Sequence, residues 1–413
     1  MKILFINNYM YLRGGAEVSL MQTADLLIKN GHEVCFVGTD FNEDTLIYNP
    51  KHTISNIEQS NRSNLIKKIQ EGSRIFYCAS AVKTIRHVIS KEKPDIVHLN
   101  NIHNKLSPAV VWEIKRAKIP MVWSLRDFKL VCPSYSLSLK GQTCNACRKG
   151  NYINAVINRC QKKSFVMSAL VFFQSHLFNT CLKIDSQISC FLPTSKFMYD
   201  MFVHMGFEGK MKILPNFLDL DKCIPNYNVN SNKALYFGRL SHEKGLYTLV
   251  DAILDLDIDF EFIGDGPEKN KLISIVKCKT KGNRITFLGH ISQKKLREKI
   301  KNSLFVVLPS ECSETFGRTI IESFAMGRPV VGSRIGGIPE LVIDNETGLT
   351  FIPGDTNDLK KKMLKLINDK ELANKLGQNA RKLIEKKFQA TIVYQRLIGI
   401  YKNVIENYYT SKK

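Results

Sequence analysis

The sequence predicts an α/β protein built from two doubly wound, Rossmann-like domains in tandem. Short apolar runs of strand length alternate with amphipathic stretches of helix length along nearly the whole chain, the pattern of parallel strands joined by crossover helices. The series of runs occurs twice, and a segment rich in Pro and Asn at 213–232 separates the two series. At 413 residues the chain also exceeds what one core comfortably serves. The expected division is 1–215, with a cysteine-bearing insert at about 126–160, then 216–388, then a C-terminal helix from 389 to 413 crossing back to the first domain.

The first series comprises KILFINN (2–8), EVCFVG (33–38), DIVHLN (95–100) and PMVWSL (120–125), with helical patterns at 16–29 and 76–91. In open α/β sheets ligands bind beyond the carboxyl ends of the strands, so chemistry belongs in the loops just after these runs. After the first run, YLRGGAEVSL (11–20) sets Gly14 and Gly15 ahead of a helix. Glycine lets backbone approach a ligand and a helix start offers free N–H groups to an anion, although a plain tight turn would use the same residues. The loop lacks the G-x-G-x-x-G spacing, which disfavours NAD. HLNNIHNK places His98 and His103 after the third run, as binding residues or as satisfied structural histidines.

In the insert, Cys132, Cys144, Cys147 and Cys160 cluster, and the CNAC pair lets two thiolates turn onto one ion. A tetrahedral thiolate site favours Zn²⁺, and four unpaired thiols are the alternative. QKKSFVMSALVFFQSHLF (161–178) then carries an apolar stretch too short to span a membrane. It reads first as a core helix of the first domain and second as a helix lying in a lipid interface behind Lys162 and Lys163.

The second series is KALYFGR (233–239), IDFEFIG (258–264), RITFLG (284–289), SLFVVLP (303–309) and RPVVGS (328–333). GRLSHEKG (238–245) puts Arg239 and Lys244 beyond a strand end, where a planar fork and a point charge together suit a diphosphate. GDGP (264–267) makes a sharp turn at the next strand end with Gly264, Asp265 and Gly266. SETFGRTIIES (313–323) follows the fourth strand and sets Glu314 and Glu322 on either side of seven residues. With a helix starting at Phe316 and Gly317, the two carboxylates would stand about 12 Å apart at ~1.5 Å per residue. That exceeds the ~5 to 9.5 Å of glycosidase acid and nucleophile pairs, so hydrogen-bond clamps on a nucleotide sugar are the better reading. From about 389 to 409, apolar Ile392, Val393, Leu397, Ile400, Tyr401 and Val404 recur at helical intervals and need a surface to cover.

Taken in order, GGAE, LPNFLD (214–219), GRLSHEKG, GDGP and the Glu314 to Glu322 segment with its following SFAMGRPVVGS resemble family 4 retaining glycosyltransferases of the GT-B fold. The resemblance covers most of the chain and implies two domains facing each other across a cleft. It implies catalytic contributions from Arg239, Lys244 and Glu314. It also implies donor contacts from Gly14, Gly15, Arg239, Lys244, Gly264, Asp265, Gly266, Glu314, Phe316, Gly317, Thr319 and Glu322, with Glu322 on the ribose. An acceptor would meet the first domain, with His98, His103 and Asp127 as candidates. No metal is implied at the reaction centre. SLRDFKLVCPSY (124–135) with the later cysteines is similar to a subgroup that makes bacterial surface polysaccharide. Members of that subgroup usually carry His where this chain has Arg126. Arginine can still supply a cation beside a leaving phosphate, but it does not titrate near neutral pH.

Composition sets the remaining bounds. The 44% hydrophobic and 24% charged fractions are those of a globular protein, and the N-terminal MKILFINNYM has no signal-peptide pattern, so a cytoplasmic location is expected, with attachment to the inner membrane face as an option. A net charge of +22 favours anionic partners: a UDP- or GDP-sugar, a polyprenyl-linked or plain saccharide acceptor, an anionic membrane surface. A nucleic-acid-binding role would want a recognised module or interleaved aromatics, and neither stands out. A sugar-nucleotide epimerase of similar fold and a catalytically degenerate donor-binding subunit are the other readings.

Overall fold

The structure is a computed structural model that describes residues 1–11, 14–39, 52–54, 73–139, 142–279 and 284–410. Leu12 and Arg13 of the glycine loop, Lys140 and Gly141 of the insert and residues 411–413 lie outside the described residues.

Each apolar run named above forms a strand. The first sheet contains β1 (Lys2–Tyr9), β2 (Glu33–Thr39), β3 (His52–Ile54), β4 (Ile96–Leu99) and β5 (Met121–Ser124). A two-stranded hairpin, β6 (Ser138–Leu139) and β7 (Gln142–Thr143), stands apart in the insert, and β8 (Cys190–Leu192) completes the first sheet. The second sheet consists of β9 (Lys233–Phe237), β10 (Asp259–Ile263), β11 (Ile285–Gly289), β12 (Phe305–Leu308), β13 (Val330–Ser333) and β14 (Gly348–Phe351). Both six-stranded sheets are parallel and share one topology, β3-β2-β1-β4-β5-β8 and β11-β10-β9-β12-β13-β14. In each, the strand order reverses between two neighbours, β1 with β4 and β9 with β12. The crevice at such a reversal is where a ligand has room, because the flanking crossovers leave on opposite faces.

β4, β5, β12 and β13 are buried along their whole length, which is why they read as unbroken apolar runs rather than alternating ones. Helices cover both faces of each sheet. The helix Ala390–Thr410 lies on the first sheet, not the second, and buries Val393, Leu397 and Tyr401 in one cluster with Ile3, Phe5, Leu20 and Ala24. Full burial of side chains of this size contributes roughly 1.5 to 3 kcal/mol each. The two chain crossings between the sheets run side by side, tied by Leu218 N donating to Phe388 O at 3.1 Å and Ala390 N to Leu218 O at 3.2 Å.

The helix Phe165–Ser175 departs from the core-helix expectation. It buries Ser168, Val171, Gln174 and Ser175, while Phe165, Val166 and Phe173 are exposed. Among the described residues no helix is long and apolar enough to cross a membrane.

Candidate functional site

The loops at the two strand-order reversals meet. On the second sheet, the loop after β9 and the loop after β12 bring Lys244 and Glu314 together, Nζ to Oε1 at 2.5 Å, and Ser310 Oγ donates to the same carboxylate oxygen at 2.7 Å. Burial opposes both charges, but each ion more than offsets the loss for the other. The Glu314 carboxylate holds Lys244 above the ordinary lysine value, and Lys244 with its hydrogen bond and that of Ser310 holds Glu314 below the usual carboxylate range. Arg239, on the same loop as Lys244, is exposed, and its guanidinium has no ion pair among the described residues. The neighbouring GDGP turn fits tightly against this loop. A Cβ on Gly264, whose φ is +130°, would lie 2.0 Å from Gly238 O, so the turn must be glycine for the two loops to touch. Asp265 is absorbed locally, with Oδ1 accepting from Gly266 N and Oδ2 from Lys269 Nζ, each at 2.9 Å.

Gly317, at φ 88°, caps the helix Arg318–Ala325. Helical rise therefore begins only at Arg318, and Glu314 stands in the loop before it; the 12 Å estimate, which assumed a helix from Phe316, does not apply. Phe316 is buried with its ring edge-on to Phe388, centroids 5.7 Å apart, so only its backbone is available to a ligand. Thr319 Oγ1 donates to Phe237 O at 3.5 Å. Glu322 is held by Arg318, Nε to Oε1 at 2.8 Å. Burial raises the Glu322 pKa against the opposing pull of Arg318.

Arg318 escaped the sequence reading and is the residue that joins the halves. Its NH1 donates to Gln22 Oε1 at 3.1 Å and Ser19 Oγ at 3.4 Å, on the helix Gly15–Lys29 that starts at the Gly14–Gly15 loop. The i, i+4 spacing of Arg318 and Glu322 is the signal that was there to be read. A cavity of about 430 Å³ opens beside this link, lined by Gln22, Arg297, Arg318 and Glu322 among others. It holds the Glu322 end of the motif and not the Lys244–Glu314 pair. Further bridges come from Ser195 Oγ to Thr315 O at 2.6 Å and Thr143 Oγ1 to Ser313 Oγ at 3.0 Å. Gly337 N donates to Glu314 O at 2.8 Å, so the SRIGG loop after β13 also braces the site unanticipated.

On the first sheet Arg126 follows β5, and its NH1 donates to Asn216 Oδ1 at 2.7 Å. Its Nε is buried with no hydrogen-bond partner, as are both polar atoms of the Asn100 side chain. Burial and then the charge of Arg318 push Arg126 down to about 10, with Glu17 pulling the other way. Asn100, His103, Ser124, Arg126 and Asp127 line one small polar cavity of about 10 Å³. Asp127 Oδ1 accepts from Lys129 N at 2.9 Å, and burial raises its pKa. Lys129 itself is buried, pushed down to about 8 by desolvation, and gives its Nζ to Pro133 O at 2.6 Å.

The two histidines separate. His103 stacks on Trp123 at 5.2 Å and edges the polar cavity. His98 is 1% exposed, with Nδ1 2.5 Å from Tyr401 OH and Nε2 2.7 Å from Ser124 Oγ. Both ring nitrogens are occupied, so the structure puts His98 in the core rather than at a free surface. Desolvation lowers both histidines to about 3, so both are neutral at ordinary pH.

Cys132, Cys144, Cys147 and Cys160 line one cavity in the insert, Cys132 and Cys147 buried and the other two half-buried. Burial and then the neighbouring thiols push Cys147 up to about 12. Among the described residues no three His, Cys, Asp or Glu side chains stand close enough to hold a metal ion.

Residues 13–222 match the family model of glycosyltransferase family 4, and residues 221–383 match that of glycosyl transferases group 1. The chain belongs to glycosyltransferase family 4. This glycosyltransferase is 26% identical over 355 residues to an uncharacterized 42.6 kDa protein in the cps region of Klebsiella pneumoniae, covering 83% of this chain and 87% of that one. It is 38% identical over 155 residues to an uncharacterized glycosyltransferase of Methanocaldococcus jannaschii, covering 38% of this chain and 44% of that protein, less than half its length. Among solved structures, Anabaena HepE in complex with UDP-glucose superposes with a TM-score of 0.71 at 19% identity, over 98% of this chain and 100% of that one. The fold of the glycosyltransferase is thus GT-B, with the two sheets' ligand edges facing each other across the Arg318 link.

Proposed function

We propose that this glycosyltransferase is a retaining enzyme that moves a sugar from a UDP- or GDP-sugar to a saccharide or polyprenyl-linked saccharide during synthesis of a bacterial surface polysaccharide. The observation that carries the reading is the Lys244–Glu314 pair at the strand-order reversal of the second sheet, beside exposed Arg239 and the start of the helix Arg318–Ala325. That arrangement supplies cations for a diphosphate, a carboxylate for sugar hydroxyls and free amides around Gly317 within one loop cluster. Glu322 is assigned to the ribose, and the Gly14–Gly15 loop closes over the donor from the other domain. The bond from the anomeric carbon to phosphate breaks, and the acceptor oxygen bonds to that carbon on the same face. The departing phosphate oxygen takes the acceptor's proton. Such a step asks the protein for placement and positive charge rather than for a titrating acid, which agrees with histidines that stay neutral. The reaction so written needs no metal at its centre, and zinc at the four insert cysteines is proposed as structural only, its binding requiring the thiols to draw closer than they stand in this structure.

Thermal unfolding with UDP-, GDP- and ADP-sugars identifies the donor, since a ligand of the folded state raises the midpoint with concentration. Product analysis by NMR then reads the anomeric configuration. An inverted product defeats the retaining assignment. Conversion of donor with no transfer to any acceptor favours an epimerase, and tight donor binding with neither outcome favours a degenerate subunit.

A further inference from the structure

The helix Phe165–Ser175 packs Phe172 against the first-domain core, yet it turns its polar side chains inward and three large apolar ones outward. Its inward face carries Ser168, Gln174 and Ser175, each at most 3% exposed, with Val171. Those polar groups are satisfied: Ser168 Oγ accepts from Gln161 N at 3.0 Å, and Gln174 Nε2 donates to Ile75 O at 3.0 Å and His103 O at 2.8 Å. Outward, Phe165 is 60% exposed, Val166 65% and Phe173 58%, and the preceding short helix Asn154–Ile157, packed against this one, adds Ile157 at 70%. An exposed cluster of large apolar side chains on a helix whose polar groups face inward has no use in water.

The charge around it is as lopsided. From Phe128 to Ile184 the sequence contains eight Lys and Arg and not one Asp or Glu. Arg148, Lys149, Arg159, Lys162, Lys163 and Lys183 of that stretch are exposed. An exposed apolar face in a stretch of chain whose charged residues are all cations, Lys162 and Lys163 directly ahead of the helix, matches one occupant, a bilayer surface with acidic headgroups: the rings and Val166 enter the acyl boundary and the cations stay with the phosphates.

We infer that the face made by Phe165, Val166, Phe173 and Ile157, with Lys162 and Lys163, docks the first domain on an anionic membrane surface. The docking helix is bonded through Gln174 to the loop that carries His103, a residue lining the polar cavity at Arg126. An acceptor carried on a lipid would then approach from the side the enzyme rests on. This goes beyond the transfer reaction, and vesicle binding reads it whether or not a sugar is transferred.

Flotation of the full chain with vesicles of phosphatidylcholine alone and of phosphatidylcholine with phosphatidylglycerol tests it. Binding to the anionic vesicles is expected, weakening as salt rises. The triple substitution Phe165→Ser, Val166→Ser, Phe173→Ser should lower that binding at least about tenfold. Lys162→Ala with Lys163→Ala should lower it about fivefold per lysine. Thermal unfolding and its shift by nucleotide sugar, measured on the same samples, should not change, which separates this face from the donor site. Wild-type protein that ignores phosphatidylglycerol, or a triple variant that binds it as wild type does, would overturn the proposal. So would a lipid-free dimer abolished by the triple substitution, which would give the face to a second copy of the chain.

Discussion

Replacing Arg126 with alanine should cost activity without costing stability, and the structure supplies both sides of that contrast. The guanidinium makes a hydrogen bond of 2.7 Å to Asn216, while its Nε is buried without a partner. A charged hydrogen bond contributes about 1.5 to 3 kcal/mol. Against it stands the cost of keeping the charge. A fall from 12.5 to about 10, driven by burial and by Arg318, corresponds to about 3 kcal/mol at ~1.36 per unit, an upper figure because the half-buried edge of the side chain is screened by solvent. The two nearly cancel, so Arg126→Ala should unfold within about 1 kcal/mol of wild type. Turnover is another matter. If the cation stands beside the leaving diphosphate, losing one preorganised group costs ~2.7 to 4 kcal/mol, or about 10² to 10³ in kcat. Steady-state transfer kinetics and urea unfolding on the same preparation read the two quantities. Arg126→His should restore part of the rate only as pH falls below ~6.5, since only protonated imidazole carries the charge and the burial and Arg318 charge that lower Arg126 oppose it. Transfer by Arg126→Ala at the wild-type rate would refute a catalytic role, and a loss of several kcal/mol in stability would refute the cancellation.

Glu322→Ala should weaken binding of free nucleoside diphosphate by the ~1.5 to 3 kcal/mol of a charge-assisted hydrogen bond, while Glu314→Ala should chiefly lower turnover and sugar selection; titration calorimetry with UDP and GDP checks this, and unchanged affinity in Glu322→Ala removes the ribose assignment. His98 and His103 are held near 3 in the fold against 6.5 when unfolded, so the unfolded chain binds more protons between those values. Stability should therefore fall as pH drops from about 6.5 toward 3, by at most ~1.4 kcal/mol per unit for each histidine, and a slope unaltered in the His98→Gln, His103→Gln double variant would contradict that account. Elemental analysis should find about one zinc per chain, lost when Cys144 and Cys147 are both changed to Ser, if the insert thiols close on an ion; metal-free protein with four reactive thiols ends the zinc proposal.

Much of this molecule could be read from neighbours along the chain. All nine apolar runs form strands, the glycines of GDGP and of SETFG stand where backbone must turn or approach closely, and the loops holding Lys244 and Glu314 follow strands whose ends had been located. Strand period, turn chemistry and crossover spacing are local, so local sequence records them. Short β3, β8 and β14 at the sheet edges, three or four residues each, and the two-residue strands of the insert hairpin carry too little pattern to be read. What tertiary structure alone decided is partnership. That His98 bonds to Tyr401, 303 residues away, rather than facing the cleft, follows from where the last helix lands. That Arg318 reaches Ser19 and Gln22 follows from how the two sheets face. The helix Phe165–Ser175 shows the division most plainly: its sequence contains both a polar and an apolar side, and only the loops at Ile75 and His103, offering carbonyls to Gln174, determined that the polar side should be buried. A buried amide must find its partners wherever the fold puts them, and no spacing along the chain announces where that will be.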